Sequence, residues 1–324
     1  MEITLIPDRR TLEIQADETL LDALLRHDEP ISHSCRDGRC GLCKCSFSVQ
    51  GLTPERGTSI EMSPVLACQT VPNADCIVEI ADPDDVLVLP PQIARGRVEA
   101  IESPVERVRR LILSTDRTLK FEPGQYFEVT WSPDITRMYS AAGLPTDPTL
   151  VFDIQLHNLG RASEHVADAL RTGDTAKIKG PLGAAYLRRK CTAPILCISN
   201  NTGLGSLLGF LRGIAKAGMR NPVYVYAGFL MSEYVYGEED LRQVCKLLKD
   251  LRRCATVVGG GTLKRWDRLG LLPDIIGKDF DDLSEFRVYA FGSPHAIDVT
   301  SRLLRNKGVA PDRLHSEPYH FSVS

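Results

Sequence analysis

Hydrophobic and polar positions alternate in two short runs at the start of the chain, MEITLIP and RTLEIQA, which are joined at DRR. A period of two residues is typical of a half-buried strand, so the two runs predict a β-hairpin. In DETLLDALLRHDE four leucines recur at helical spacing after Asp17, a residue that can cap a helix. With two further strands at KCSFSVQG and CIVEIAD, residues 1–89 are expected to form a small α+β domain.

The pattern then changes to short strands separated by turn residues. A proline-rich, acidic stretch, DPDDVLVLPPQIARG, predicts a linker because prolines end regular structure and stiffen a connection. The strand-like runs that follow are GRVEAIES, VRRLILSTD, QYFEVTW, RMYSAAG, LVFDIQL and DTAKIKGP. With one helix-like piece, SEHVADALR, they predict a small antiparallel β-barrel over residues 93–190.

From residue 191 onward apolar strands alternate with helical segments. The strands are PILCIS, PVYVYAG, CATVVG and FRVYAFG, and LGSLLGFLRGIAKAGM and EEDLRQVCKLLKDL have helical periodicity. This alternation predicts a doubly wound parallel sheet in an α/β domain at residues 191–324. The sequence therefore predicts a multidomain chain of three parts.

Composition excludes several classes of protein. The chain has 324 residues, of which 43% are hydrophobic and 25% are charged, as in globular proteins. No apolar run approaches the roughly 18 residues of a membrane span, and MEITLIPDRR reaches Asp8 too early for a signal peptide, so we expect a cytoplasmic protein with no membrane partner. A net charge of -3 argues against nucleic-acid binding.

Charge is unevenly distributed along the chain. Residues 1–89 contain 7 basic and 16 acidic residues, a net charge of -9, whereas the remainder carries +6. The acidic segment is either an ordinary soluble surface or a docking face for a basic partner.

Four of the ten cysteines have the sequence spacing of a metal-binding motif: three lie close together and the fourth follows further along the chain. Cys35, Cys40 and Cys43 form C-x4-C-x2-C, and Cys68 follows after 24 intervening residues. This is the ligand spacing of plant-type 2Fe-2S ferredoxins. The alternative is a structural zinc site with four cysteine ligands, but zinc ribbons usually pair two C-x2-C knuckles and only one is present. The remaining cysteines are predicted to be buried bystanders: Cys45, Cys76, Cys191, Cys197, Cys245 and Cys254.

The motifs SCRDGRCGLCKC, VLACQ, RMYS and GPLGAAYL, in this order, resemble the reductase components of bacterial Rieske-type aromatic-ring dioxygenases, of the naphthalene dioxygenase and salicylate hydroxylase kind. The resemblance covers essentially the whole chain. It implies a β-grasp ferredoxin domain at 1–89, an FAD-binding β-barrel at 93–190 and an NAD-binding domain at 191–324. It also implies an NADH:ferredoxin oxidoreductase that passes electrons from NADH through FAD and a 2Fe-2S cluster to a Rieske-type ferredoxin or the terminal oxygenase.

The resemblance also implies which residues of the barrel contact the flavin. In RMYS, Arg137 would pair with the pyrophosphate, Met138 would line the site, Tyr139 would stack on the isoalloxazine and Ser140 would hydrogen-bond near its N5 atom. The phosphates would be held by the residues of GRAS: Gly160, Arg161 and Ser163.

Two further pairs of residues have an ordinary structural alternative. Gly180 and Gly183 in GPLG would shape the barrel edge at the flavin, or merely form a turn. Glu317 and Tyr319 in SEPYHF stand where the family has an acid and an aromatic residue by the flavin, the alternative being a solvated tail. The expected catalytic residues are Tyr139, Ser140 and Glu317.

The nucleotide-binding motifs of the family are only partly present. The residues that persist are Thr202, Gly203, Gly292, Ser293 and Pro294. The departures are Ser199, Asn200 and Asn201 in place of leading glycines, Ser206 in place of a proline, Leu230 in place of an arginine and Phe291 in place of a cysteine. Asparagine tolerates left-handed backbone, so the turn is expected to survive.

Two interpretations of these departures remain. Either NADH binds through altered contacts, or the domain has lost its nucleotide affinity and the chain is an electron carrier. NADH is expected rather than NADPH, because Glu233 would repel a 2′-phosphate. A reductase for a diiron hydroxylase or a deoxysugar dehydratase is the alternative among enzymes.

Overall fold

The computed structural model describes residues 1–6, 8–33, 36–38, 41–49, 62–80, 86–158, 160–262 and 267–319. The chain divides into two compact units, Met1–Pro91 and Gln92–Ser324.

The first unit is a five-stranded mixed sheet with one helix. The strand order is β2-β1-β5-β3-β4, in which β1 is parallel to β5 and antiparallel to β2. Its elements are β1 (Glu2–Ile6), β2 (Arg10–Glu13), α1 (Leu20–Arg26), β3 (Lys44–Val49), β4 (Ser63–Leu66) and β5 (Cys76–Glu79). Leu20, Leu21 and Leu24 of α1 are buried with the alternate apolar residues of β1 and β5, which confirms the predicted α+β class.

The cap of α1 differs from the prediction. Thr19 is the N-cap, because its hydroxyl accepts a hydrogen bond from the backbone N–H of Asp22 at 3.1 Å. Asp17 lies two residues earlier with a φ of 61°, so the prediction that it caps the helix is wrong.

The first half of the second unit is a six-stranded antiparallel sheet with the order β10-β7-β6-β11-β8-β9. Its elements are β6 (Gln92–Val105), β7 (Val108–Thr115), β8 (Tyr126–Ser132), β9 (Ile135–Ser140), β10 (Leu150–Gln155), α2 (Arg161–Glu164) and β11 (Thr175–Leu182). β6 begins inside the segment predicted as linker, because Ala94 and Val98 alternate with exposed residues and fill the barrel core. The antiparallel barrel class is confirmed.

The second half of this unit is a six-stranded parallel sheet with the order β15-β14-β13-β12-β16-β17. Its strands are β12 (Ile195–Asn200), β13 (Val223–Phe229), β14 (Leu251–Val258), β15 (Asp267–Leu269), β16 (Arg287–Gly292) and β17 (Leu314–Pro318). Its helices are α3 (Gly203–Lys216), α4 (Glu238–Lys246), α5 (Leu272–Asp279) and α6 (Pro294–Asn306). Two separate hydrophobic clusters cover its strands, as expected for a doubly wound sheet.

Within the described ranges, no helix combines the length and the apolar character that crossing a bilayer requires.

Candidate functional site

Two of the four predicted cluster ligands come together at the end of the first unit's sheet. Cys43 and Cys68 are both buried, with exposed fractions of 2% and 7%. The backbone N–H of Ala67 donates to the carbonyl of Cys43 at 2.9 Å, which holds the two cysteine-bearing segments side by side. The side-chain amide of Gln69 donates to the Cys68 sulfur at 3.6 Å. Buried sulfurs with a donor directed at one of them suit thiolates that bind a metal cluster.

The loop between these ligands has the backbone that its glycines permit. Gly38 and Gly41 have φ values of 83° and 69°, a left-handed region that other residues rarely adopt. Cys35 and Cys40 lie outside the described residues, so the complete set of four ligands stays a prediction.

The cysteines predicted to be bystanders divide into two groups. Those buried as expected are Cys45, Cys76, Cys197 and Cys245. Cys191 is half-buried, and the prediction is wrong for Cys254, which is exposed on β14.

In the second unit, three hydroxyl groups from distant parts of the chain meet. The hydroxyl oxygens of Ser206 and Tyr319 lie 2.6 Å apart, and Ser140 forms a further hydrogen bond with the Tyr319 hydroxyl. The backbone N–H of Tyr319 donates to the carbonyl of Gly292 at 2.8 Å, which continues the segment from β17 along β16. We call Ser140, Ser206 and Tyr319 the hydroxyl cluster. It joins the end of β9 in the barrel to the first turn of α3, and Ser206 was not predicted as a site residue.

The carboxyl group of a partly buried glutamate lies next to the barrel edge. Glu317 is on β17, two residues before Tyr319, and burial raises its pKa well above the usual value. A Cβ atom on Gly183 would lie 3.0 Å from Glu317 Oε2 and 2.7 Å from the ring of Tyr126. These residues therefore enclose a position where only a glycine fits, and SEPYHF does not begin as a solvated tail.

The other glycine of GPLG packs inward. A Cβ atom on Gly180 would lie 2.5 Å from the ring of Phe127 in the barrel core. Gly180 is thus required for packing, which is the structural alternative considered for it.

The other three residues of RMYS, Arg137, Met138 and Tyr139, have different environments. The ring of Tyr139 packs against Phe152 of the barrel core with 5.7 Å between centroids, and burial raises the pKa of Tyr139 to about 12. A guanidinium N–H of Arg137 donates to the carbonyl of Thr136 at 2.8 Å. Met138 is 47% exposed. The flavin contacts of these three residues stay predictions.

The GRAS segment forms a single helical turn. Gly160 precedes α2, which begins at Arg161, and the hydroxyl of Ser163 accepts a hydrogen bond from the backbone N–H of His157 at 2.9 Å. This contact folds the segment back on itself. Phosphate binding by Gly160, Arg161 and Ser163 stays a prediction.

The turn between β12 and α3 has the predicted left-handed backbone. Asn201 has a φ of 48°, which asparagine tolerates better than most residues. Its side-chain oxygen is buried and has no hydrogen-bond partner among the described residues. A buried acceptor without a partner is costly, so this atom is available for a ligand donor. Thr202, the N-cap of α3, is buried and makes no side-chain capping bond.

The end of β16 lies against this turn. A Cβ atom on Gly203 would lie 2.2 Å from the carbonyl oxygen of Phe291, so a side chain is excluded there. The hydroxyl of Ser293, which is followed by Pro294 at the start of α6, donates to the side-chain oxygen of Asn200 at 3.2 Å. The two partly preserved motifs of the nucleotide domain are therefore in contact at the carboxyl edge of the sheet, where such sheets bind ligands.

An ion pair inside the barrel is linked to the parallel-sheet domain through Tyr236. Asp153 on β10 has a side chain only 1% exposed and accepts two hydrogen bonds from Arg110, at 2.7 and 3.0 Å. The hydroxyl of Tyr236 donates to the same carboxylate at 3.0 Å. A Cβ atom on Gly205 would lie 2.8 Å from it. The sequence alone does not reveal this network; its one sign there is an acidic residue between the apolar residues of LVFDIQL.

Comparisons with known proteins agree with this arrangement. Residues 3–73 match the 2Fe-2S iron-sulfur cluster binding domain, and residues 97–186 match the oxidoreductase FAD-binding domain. The ferredoxin–NAD(P)(+) reductase component of the naphthalene 1,2-dioxygenase/salicylate 5-hydroxylase systems of Ralstonia sp is 36% identical over 325 residues, 99% of each chain. The reductase component of the Pseudomonas putida naphthalene 1,2-dioxygenase system is 36% identical over 327 residues, again 99% of each.

The chain belongs to the family of ferredoxin–NAD(P)(+) reductase components. Among solved structures, the cytochrome P450 reductase GcoB of Amycolatopsis has a TM-score of 0.70 and 25% identity, and covers 98% of each chain. The resemblance drawn from the sequence motifs is confirmed, as is the combination of a ferredoxin domain with a flavin barrel and an α/β nucleotide domain.

The described residues of this reductase component fit the cofactors of its family. A side chain at position 183 would collide with the ring of Tyr126 and with Glu317, so a glycine is required where the barrel edge meets these two candidate site residues. The buried oxygen of Asn201 offers an acceptor beside the nucleotide turn. Cys43 and Cys68 supply two buried sulfurs for the cluster. FAD and the 2Fe-2S cluster are the cofactors of the two matched domains.

Proposed function

We propose that this reductase component takes electrons from NADH and delivers them to a Rieske-type ferredoxin or to the terminal oxygenase of an aromatic-ring dioxygenase. Bound FAD would accept the hydride pair of the nicotinamide and release electrons singly to the 2Fe-2S cluster. The observation that carries the proposal is the convergence of the barrel, α3 and β17 on one place, through the hydroxyl cluster and Glu317.

The chain's own groups would position and screen the reacting ring. Ser140 and Ser206 hold the Tyr319 hydroxyl from opposite domains, so the ring of Tyr319 has little freedom. Burial raises the pKa of Glu317 well above its usual value, which favours the neutral carboxyl group, a hydrogen-bond donor, over the carboxylate. Tyr139 and Ser140 are proposed as the barrel's contacts with the flavin.

NADH is proposed over NADPH from the residues that follow β13. Leu230 is 60% exposed at the end of this strand, where a charged partner for a nucleotide phosphate would lie. Glu233 is exposed three residues later and adds a negative charge. A 2′-phosphate would meet an apolar group and an acid, which supports NADH as the donor.

The proposed acceptor rests on potential and charge. Plant-type clusters have potentials near about -400 mV, whereas Rieske centres lie at about -150 mV or above, so electrons would flow downhill to one. The net charge of -9 over residues 1–89 would favour a partner with a basic docking surface.

The donor is tested by mixing the holoprotein with NADH or NADPH without oxygen while the visible absorption of the flavin is recorded. We expect NADH to bleach the flavin much faster than NADPH does. In Leu230→Arg, the difference between the two bleaching rates should be smaller. A flavin that neither nucleotide reduces at millimolar concentration would instead identify an electron carrier whose nucleotide site has decayed.

The cluster is tested by comparing Cys68→Ser with Cys45→Ala. Both residues are buried in the first unit, but Cys68 is a predicted ligand and Cys45 is not. We expect Cys68→Ser to lose iron, sulfide and visible absorption while Cys45→Ala retains all three. Zinc in place of iron in the unaltered protein would contradict the assignment.

The acceptor is tested by supplying the reduced holoprotein with a Rieske ferredoxin, a Rieske oxygenase or a diiron hydroxylase. Reduction of a Rieske protein at a rate that falls with added salt is expected. Efficient turnover with the diiron hydroxylase alone would favour the alternative partner.

A further inference from the structure

Two cysteines outside the cofactor-binding residues lie together on one face of the parallel sheet. Cys254 on β14 is aligned with Val225 on β13, which is aligned in turn with Cys197 on β12. Cys245, near the end of α4, packs into the hydrophobic cluster on this face, and α4 packs against β14. Cys254 and Cys197 therefore lie on the same face of the sheet, on either side of Val225, and Cys245 lies on the helix that covers this face.

The thiols of Cys245 and Cys254 form a hydrogen-bonded pair with unequal surroundings. Cys245 is buried, with an exposed fraction of 5%, whereas Cys254 is exposed to solvent. The hydrogen bond with Cys245 lowers the pKa of Cys254, partial desolvation of the thiol opposes this shift, and the charge of Arg242 lowers the pKa further, so the net shift is downward. The same hydrogen bond, together with burial, raises the pKa of Cys245. Cys254 is thus the better nucleophile, and Cys245 is the neighbouring thiol that can react with it afterwards.

No other described cysteine combines exposure with a neighbouring thiol in this way. Among the eight cysteines in the described part of the chain, Cys254 alone is exposed. The thiol of Cys191, the next most accessible, is directed at the carbonyl of Ala193 at 3.9 Å. Cys254 is therefore the described cysteine best placed to meet an oxidant from solvent.

We propose that Cys245 and Cys254 are a reversible thiol oxidation site, which hydrogen peroxide converts to a disulfide between α4 and β14. The Cys254 thiolate attacks one peroxide oxygen, the O–O bond breaks and a sulfenic acid forms with loss of hydroxide, which takes up a proton to become water. The Cys245 sulfur then attacks the Cys254 sulfur, the S–O bond breaks and the second water leaves with the Cys245 proton. Two thiols lose two electrons and two protons, and one peroxide becomes two waters.

This inference goes beyond the electron-transfer function and does not depend on it. The oxidant is added from outside, and the product is a covalent link that can be detected whether or not the flavin is reduced. A failure of NADH to reduce the flavin would leave the disulfide test unchanged. Equally, a failure to form the disulfide would leave the test of flavin reduction unchanged.

The site is tested on the full-length holoprotein treated with hydrogen peroxide, alkylated, digested and mapped by mass spectrometry. We expect one peptide pair linked through Cys245 and Cys254, the loss of alkylation at both residues, and recovery of both thiols with dithiothreitol. Separate alkylation of both residues after peroxide treatment would overturn the proposal. So would irreversible oxidation of Cys254 without a link, or a link from Cys254 to a second chain.

Matched variants assign the roles of the two sulfurs. In Cys245→Ser the reactive thiol remains without its partner, so Cys254 should accumulate sulfinic and sulfonic acids in place of the link. In Cys254→Ser the exposed nucleophile is lost, so Cys245 should remain a free thiol. Cys191→Ser is the control and should give the linked pair as in the unaltered protein. Because Cys254 is exposed, its variant is expected to fold even if substitution of the buried Cys245 is not tolerated.

Discussion

The hydroxyl oxygens of Ser206 and Tyr319 lie 2.6 Å apart, which joins the first turn of α3 to the residue that follows β17. A serine at position 206 is a departure from the proline usual at this turn in the family that the motifs resemble. Its hydroxyl group reaches the aromatic residue at the candidate flavin site, so the substitution adds a contact there rather than only removing one.

This relationship predicts a coupled pair. Ser206→Ala and Tyr319→Phe should each lower the free energy of unfolding by about 1 kcal/mol, because each removes one hydrogen bond between neutral groups. The double variant should lose less than the sum of the two, by about 1 kcal/mol. Chemical unfolding of all four proteins measures the coupling. Strictly additive losses would mean that the two hydroxyls do not interact.

Gly183 should be required for flavin binding. Gly183→Ala places a methyl group 2.7 Å from the ring of Tyr126, at a φ of 96°. Gly173→Ala is a matched control, since its φ is 97° but the nearest atom outside its chain neighbours lies 3.6 Å away. Both variants should lose about 1–2 kcal/mol of stability to the left-handed backbone. We expect that only Gly183→Ala also loses FAD, measured as the flavin-to-protein ratio after dialysis; equal ratios would contradict the crowding argument.

Glu317 should make stability fall as pH rises. Its folded pKa lies well above the usual 4.5, so between these two values the folded chain holds a proton that the unfolded chain has released. The stabilisation is complete below the unfolded pKa and is lost as pH rises through the folded pKa. Glu317→Gln stays neutral, so its free energy of unfolding should fall less steeply than that of the unaltered protein as pH rises above the usual carboxyl pKa. Parallel slopes for the two proteins would show that the carboxyl group is not buried as described.

Asp153 should contribute far more to stability than a surface aspartate that forms an ion pair of the same length. Asp153→Asn removes the charge that balances the half-buried Arg110 and should cost about 3–5 kcal/mol. Asp298→Asn is the control, because Asp298 pairs with Arg302 at 2.7 Å but both side chains are more than half exposed. Its effect should stay within about 0.5 kcal/mol. Thermal unfolding of the two variants distinguishes these outcomes, and equal shifts in the melting temperature would contradict the buried role of Asp153.

Features encoded by local pattern were predictable from the sequence. The strands of the barrel and the parallel sheet follow apolar periodicity, and the left-handed turn at Asn201 follows from the backbone preference of one residue. The features that were missed depend on distant partners. Thr19 was overlooked as a cap because Asp17 has an equally suitable side chain, and only the backbone path separates them.

The same limit applies to the site. Glu317 and Tyr319 were predicted through the resemblance, yet nothing near them in the sequence shows that β17 pairs with β16 or that Tyr319 meets Ser206. Asp153 is 43 positions from Arg110 and 83 positions from Tyr236 along the chain. No periodic pattern in the sequence relates residues so far apart.

The position of β17 along the chain has a consequence for biosynthesis. This edge strand follows every other strand of its sheet, and it carries Glu317 and leads directly to Tyr319. A nascent chain folds from its N-terminal side, so the barrel and most of the parallel sheet can form while the ribosome is still adding α6. Such an intermediate would have Gly183 and Ser206 in position but neither the acid nor the aromatic ring, so the site would stay incomplete until synthesis had passed residue 319.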